Sequence, residues 1–157
     1  MSAAIPHTEL AFEQLIVSEL TADGGWIGGA PKGYDAALGL YSEDVVAFVT
    51  ETQPTKWARL VKLAGGDAAA EAALLKRLAA QLDRHGAVKV LRDGITERGV
   101  ALSLCQLKPA HSIDLETGDR YAANRLRVVR QVRFDPNSGD ALDLVLFVNG
   151  VPTATAE

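Results

Sequence analysis

The chain has 157 residues, of which 48% are hydrophobic, a single cysteine and a net charge of -4. That length suits one domain with a proper core and is short for two, and the lone Cys105, set in an apolar run, excludes an internal disulfide and suits a reducing cytosol. No stretch approaches the roughly 18 uninterrupted apolar residues of a membrane span, and the amino terminus lacks a basic region followed by an apolar one, so a cytoplasmic protein with no membrane association is expected. The acidic balance argues against a nucleic-acid coat protein but leaves room for a local basic face.

From the start of the chain, the pattern predicts a helix over Thr8 to Leu20, with Thr8 as N-cap and Phe12, Leu15, Ile16 and Leu20 on one apolar stripe. Glu9 and Glu13 lie one turn apart beside that stripe, placed either to face a site or to serve as N-terminal dipole partners on a solvated face. The glycine-rich segment 24–33 matches neither phosphate-binding glycine motif and reads as a loop. Three helices follow: one opened by Ser42 and closed before Pro54, one from Thr55 to about Ala64, and one from Asp67 to Gly86 with Leu74, Leu75, Leu78 and Leu82 as its stripe. Trp57 and His85 read as packing and as a C-terminal dipole partner, so this group looks like a helical insertion rather than chemistry.

Beyond Ala87 the periodicity turns to strands, over Val88 to Leu91 and Val100 to Leu107, with Arg92-Asp93-Gly94 as a turn. Pro109 to Asn124, with His111 and Tyr121, reads as a loop holding one short helical turn. Arg125 to Phe134 is then a strand with Leu126, Val128, Val132 and Phe134 on an apolar face and Arg125, Arg127, Gln131 and Arg133 on the other. Those arginines suit a phosphate backbone, or else they solubilise an open strand. Phe134 should be buried, and Arg130, on the apolar side of the alternation, should be paired with a carboxylate or a backbone carbonyl.

Asp135-Pro136-Asn137-Ser138-Gly139 turns the chain into its last stretch, where apolar runs flank Asn149-Gly150, the strongest hairpin signal in the chain. A hairpin brings Asp143 and Glu157 near each other. Two ionised carboxylates close together repel unless a cation lies between them, which favours a hard divalent ion such as Mg²⁺. Register decides whether they share a face: a strict two-residue loop sends them to opposite faces, whereas a three-residue loop with Gly150 in a bulge puts them on one. Otherwise Asp143 is a strand-end residue bonded to backbone and Glu157 a solvated terminus.

Several blocks carry a resemblance: His7-Thr8-Glu9 with Phe12-Glu13, Thr52-Gln53-Pro54 with Trp57, the run from Leu104 to His111, the run from Tyr121 to Val132, and the run from Leu142 to Gly150. Through them the chain resembles the amino-terminal nuclease region of the restriction (R) subunit of type I restriction-modification enzymes. The resemblance implies an α/β (α+β) fold of the restriction-endonuclease-like, PD-(D/E)xK kind: a mixed sheet flanked by helices, with residues 42–86 as a helical insertion in a single domain over 1–157. It also implies Mg²⁺-dependent hydrolysis of double-stranded DNA, with Asp143 and Glu157 as the two catalytic, metal-holding acids. Glu9 or Glu13 would be outer-shell ligands, and Arg125, Arg127 and Arg133 would contact DNA. The implied partners are DNA and the methyltransferase and specificity subunits, and ATP would be used by motor domains of the parent subunit outside this chain.

The sequence departs from that pattern at its end. In the motif a lysine stands two positions after the second acid, where it orients or activates the attacking water, and the backbone carbonyl just after the glutamate completes the metal shell. The sequence stops at Glu157, so it is expected to be a piece of a longer subunit, ending inside the catalytic strand and close to inactive as a nuclease alone. A reading from a different class is a noncatalytic module that docks on DNA or on the other subunits.

Overall fold

A computed structural model describes residues 8–108 and 115–157; His7 and the segment from Pro109 through His111, part of the blocks above, lie outside the described residues. Helix α1 spans Glu9–Ala22, and Thr8 caps it by accepting the Ala11 N–H on its hydroxyl at 3.3 Å. Its orientation turns only half of the expected stripe inward, Ile16 and Leu20 being partly buried. Glu13 is buried, whereas Phe12 and Leu15 are 65% and 48% exposed. The helix is apolar on nearly every side, so periodicity could not choose a face; a cationic partner for Glu13, described below, does.

The glycine-rich segment is not simply a loop. Strand β1, Ile27–Gly29, pairs in parallel with β6, Leu126–Val132, which pairs antiparallel with β7, Leu142–Val148, and β7 with β8, Val151–Ala156. The mixed four-stranded sheet therefore runs β1-β6-β7-β8. Glycine has a local reason at position 29: an added Cβ would lie 2.7 Å from the Arg127 side chain and 2.9 Å from that of Val129. After β1 comes a small antiparallel pair, β2 (Tyr34–Asp35) and β3 (Leu40–Tyr41).

Helices α2 (Ser42–Thr52), α3 (Pro54–Ala64) and α4 (Asp67–His85) follow close to the expected limits. Pro54 at the first turn of α3 and the left-handed Gly65 just past its end are the local stop and start signals. The strand expected over Val88 to Leu91 is instead helix α5, Ala87–Asp93. Gly86, at φ 79°, ends α4 and restarts the helical path, with Val90 N–H donating to its carbonyl, and the Lys89–Asp93 pair one turn apart, at 2.6 Å, supports it. The strands fall later, as β4 (Ile95–Glu97) and β5 (Val100–Leu102), joined through Arg98 and Gly99, both at positive φ. Helix α6, Leu115–Ala122, is the short helical piece expected before the basic strand.

Two apolar clusters hold these elements. The larger gathers Val45, Phe48, Leu60, Leu74, Leu78, Val90, Ile95, Leu102 and Leu104 with Val151 from the start of β8. The smaller joins Tyr41, Val129, Val132, Val145 and Phe147, with the Tyr34 and Tyr41 rings tilted against Phe147 at 6.0 and 5.7 Å.

β5 stops at Leu102 rather than running to Leu107, and residues 103–106 are held by side-chain amides acting as a neighbouring strand would. Gln53 accepts from Ser103 N–H at 2.8 Å and donates to its carbonyl at 2.9 Å, and Asn124 does the same for Gln106 at 3.0 and 2.7 Å. Asn149, fully buried, donates to the Leu104 carbonyl and to Asn124 Oδ1, both at 2.9 Å, while its own Oδ1 accepts from Arg125 N–H at 2.6 Å. Residues of four of the family-like blocks thus meet in one network, which accounts for them as architecture. Cys105 lies within it, half-buried, and burial pushes its thiol pKa up.

Candidate functional site

The hairpin carrying the two acids turns on two residues, Asn149 at φ 49° and Gly150 at φ 82°, with Val148 opposite Val151. The three-residue loop weighed above does not form. A bulge nevertheless occurs further on, because Phe147 pairs with Pro152 while Leu146 pairs with Ala154, leaving Thr153 as the extra residue. Thr153 closes it by donating its hydroxyl to the Leu146 carbonyl at 3.0 Å. The ladder then runs Val145 with Thr155 and Leu144 with Ala156. The paired ladder ends there, one residue short of Asp143 on β7 and of Glu157 after β8, and that register continued by one step would set the two acids across from each other.

Gly150 fixes where this hairpin sits. Its carbonyl accepts Tyr41 N–H at 2.9 Å, and a Cβ there would collide with the Tyr41 carbonyl and Val45. The turn is thus pinned against the start of α2, and the strand ends with the acids lie at the opposite, open end.

Glu13 of α1 reaches that open end. Its Oε2 accepts from Arg130 Nε and Nη2 at 3.1 and 2.9 Å, and its Oε1 from the Gln131 amide at 3.2 Å. The same amide nitrogen donates to Asp143 Oδ1 at 3.1 Å. Arg130 thus has the carboxylate partner that its place in the alternation demanded. Glu13 is one residue away from Asp143, through Gln131. Glu9, in the exposed first turn, makes no hydrogen bond or ion pair among the described residues.

The basic residues part company. Arg127 forms a two-pronged bond with Asp44 of α2, Nε to Oδ2 and Nη2 to Oδ1 at 2.5 and 2.9 Å, with its guanidinium 4.7 Å from the centre of the Tyr41 ring. That hydrogen-bonded carboxylate, itself fully buried, holds the Arg127 pKa above its ordinary value. Arg125 pairs with Glu51 at 2.6 Å and lies 3.7 Å from Asp44. Arg133 follows the end of β6, is exposed, and has no ion pair among the described residues.

The strand departs from its expected faces. β6 lies between β1 and β7, with Arg127 paired on both sides and so guarding no open edge, and Val129 on the Arg127 side is fully buried. Phe134 falls beyond the end of β6 and is 46% exposed rather than buried, because the backbone turns left-handed at Gln131, φ 54°, and the alternation does not continue.

Asp143 and Glu157 suit a hard cation. Both offer carboxylate oxygens, Asp143 is partly buried and Glu157 exposed, and among the described residues no cationic side chain pairs with either. Among the described residues no group of three His, Cys, Asp or Glu side chains could hold an ion; Mg²⁺, which keeps several waters, is commonly bound through only one or two carboxylates.

Among the described residues no helix is long and apolar enough to cross a membrane. No curated protein and no solved structure matches the chain. A family model does, over residues 7–157: that of the type I restriction enzyme R protein N terminus. With all but the first six residues matched, the chain belongs to the type I restriction enzyme R protein N-terminal family.

Proposed function

We propose that this region is the DNA-cleavage part of a type I restriction enzyme R subunit, of the PD-(D/E)xK kind, with Asp143 and Glu157 as the carboxylates that hold Mg²⁺. The observation that supports the reading is the Thr153 bulge, whose shift of register, carried one step past Leu144 and Ala156, would set both acids on one face despite a two-residue turn. Bound there, Mg²⁺ would supply an activated water and charge neutralisation at the phosphate. The chain's own contribution is orientation. Glu13 and Gln131 hold Asp143 from one side, β8 carries Glu157 up to the other, and exposed Arg133 offers a charge to the DNA backbone nearby in sequence. Arg127 and Arg125, tied to Asp44 and Glu51, act first in the structure. The parent complex works on double-stranded DNA in the cytoplasm, with methyltransferase and specificity subunits and with ATP consumed by motor domains outside this chain.

The test is Asp143→Ala in an R subunit carrying this region. DNA cleavage should be lost while folding and ATP hydrolysis are retained, since a metal ligand is removed and the motor lies elsewhere. Loss of cleavage and ATP hydrolysis together would make Asp143 structural. A second reading, a docking module for the other subunits, is favoured by one feature: Leu10, Phe12 and Leu15 of α1 stand exposed. It predicts unaltered cleavage in the Asp143 variant and loss of assembly when those three are replaced by polar residues.

A further inference from the structure

Consecutive residues of a strand point to opposite faces. Arg130 and Gln131 are consecutive in β6, yet both donate to the one Glu13 carboxylate, Arg130 to Oε2 and Gln131 to Oε1. The left-handed backbone at Gln131, φ 54°, makes this possible. A side-chain-bearing residue is uncommon there, and more so within a strand ladder, where Arg130 with Leu144 and Val132 with Leu142 keep register on either side.

Folding alone gives no reason for the arrangement. Gln131 is exposed, so water would satisfy its amide at no structural cost. Glu13 already has a two-pronged bond from Arg130. What the unusual backbone achieves is to place one amide nitrogen between two carboxylates, 3.2 Å from Glu13 Oε1 and 3.1 Å from Asp143 Oδ1, so that each of its protons has an anionic acceptor. Residues held in sparsely populated backbone regions gather where function needs a fixed geometry.

We propose that Gln131 is a positioning residue for the carboxylate pair, an assignment that rests on the reading of Asp143 and Glu157 as the metal-holding acids. Its amide fixes the Asp143 side chain through Oδ1, leaves Oδ2 for the cation, and ties α1 to the site through Glu13. The residue type follows from the task. Lysine or arginine at this place would form an ion pair with Asp143 and oppose a divalent ion, whereas a neutral donor orients the carboxylate and leaves its charge intact.

The experiment uses an R-subunit segment that carries this chain and continues past Glu157, with Mn²⁺ as probe, in calorimetric titration and thermal melting of the unmodified protein and of Gln131→Met, Gln131→Gly, Gln131→Lys and Asp143→Ala. Gln131→Met removes both donors at similar length. Gln131→Gly also removes them but relieves the left-handed backbone, so it folds at least as well as Gln131→Met. Loss of an orienting partner beyond the ligands typically weakens metal binding about ten- to a hundredfold. That loss is expected in both variants alike, whatever their melting temperatures, and no binding is expected in Gln131→Lys or Asp143→Ala. Spectra of the metal-free chain should show the Gln131 side-chain amide protons exchanging more slowly than those of exposed Gln14, with the protection reduced in Asp143→Ala. If Gln131→Met and Gln131→Gly bind Mn²⁺ as tightly as the unmodified chain while Asp143→Ala does not bind, the role of Gln131 is overturned and the carboxylate pair stands. If the unmodified chain binds no more Mn²⁺ than Asp143→Ala, the pair itself is overturned and the positioning role with it.

Discussion

The helices from α2 to α5 and the sheet are built on different chemistry. The helical side closes over an apolar cluster from Leu40 to Leu104, which Val151 of β8 joins. The sheet has a smaller cluster, and besides the apolar contact of Val151 it is joined to its neighbours by charge: Arg127 to Asp44 of α2, Arg125 to Glu51, Arg130 to Glu13 of α1. Apolar burial is non-directional and sets no side chain to a fraction of an ångström, whereas forked bonds between guanidinium and carboxylate fix both distance and orientation. The acids proposed for chemistry lie on the part built with directional bonds, and the helical part carries none of the site residues.

Substitutions can break or sharpen this contrast, and the largest effect should come from the ionic seam. Asp44→Ala leaves the Arg127 guanidinium enclosed without its partner, which should cost about 3–5 kcal/mol in chemical denaturation, whereas Asp44→Ala combined with Arg127→Met should recover much of the loss. A double variant as unstable as the single one would mean that packing, not charge, joins α2 to β6. On the helical side, Leu74→Ala in α4 should cost about 2–5 kcal/mol through the cavity it leaves, with Mn²⁺ binding unchanged below the melting transition. An altered metal affinity would show that the two regions are coupled.

Smaller effects are expected at the rim of the sheet. Replacing Arg133 with Ala in an R subunit should weaken DNA binding about equally across sequences and lower the salt slope by about 1, because one phosphate contact and its released counterion are lost. Arg127→Met should leave that slope unmoved if Arg127 is committed to Asp44; a reduced slope would return it to the DNA surface. The smallest effect belongs to Phe134, which is beyond the sheet and half open to solvent. Phe134→Ala should change stability by no more than about 0.5 kcal/mol, and a loss of several would show that it is covered in solution.

Much of the fold was legible because its signals are local. Thr8, Pro54 and the glycines after α3 and α4 mark helix ends through the conformations they allow, and Asn149-Gly150 marks the hairpin for the same reason. The failures have physical causes too. Val88 to Leu91 has strand-like residues but is short enough for the helical restart at Gly86 and the Lys89–Asp93 pair to prevail. Ile27 to Gly29 lacks a strand pattern because its pairing depends on a partner about a hundred residues away and on the absence of side chains that would strike Arg127. Phe134 failed because alternation was extended past a left-handed residue that no local pattern announces.

The sequence by itself determined which residue types could serve as site acids and that Arg130 needed an anionic partner, because charge and alternation are properties of the chain. Only the tertiary structure decided that Glu13 faces inward from a helix apolar on nearly every side, that Arg127 belongs to Asp44, and that an extra residue at Thr153 shifts the register of β8 against β7. Those outcomes depend on register and on partners distant along the chain, and a single inserted residue in a strand reverses every side chain beyond it.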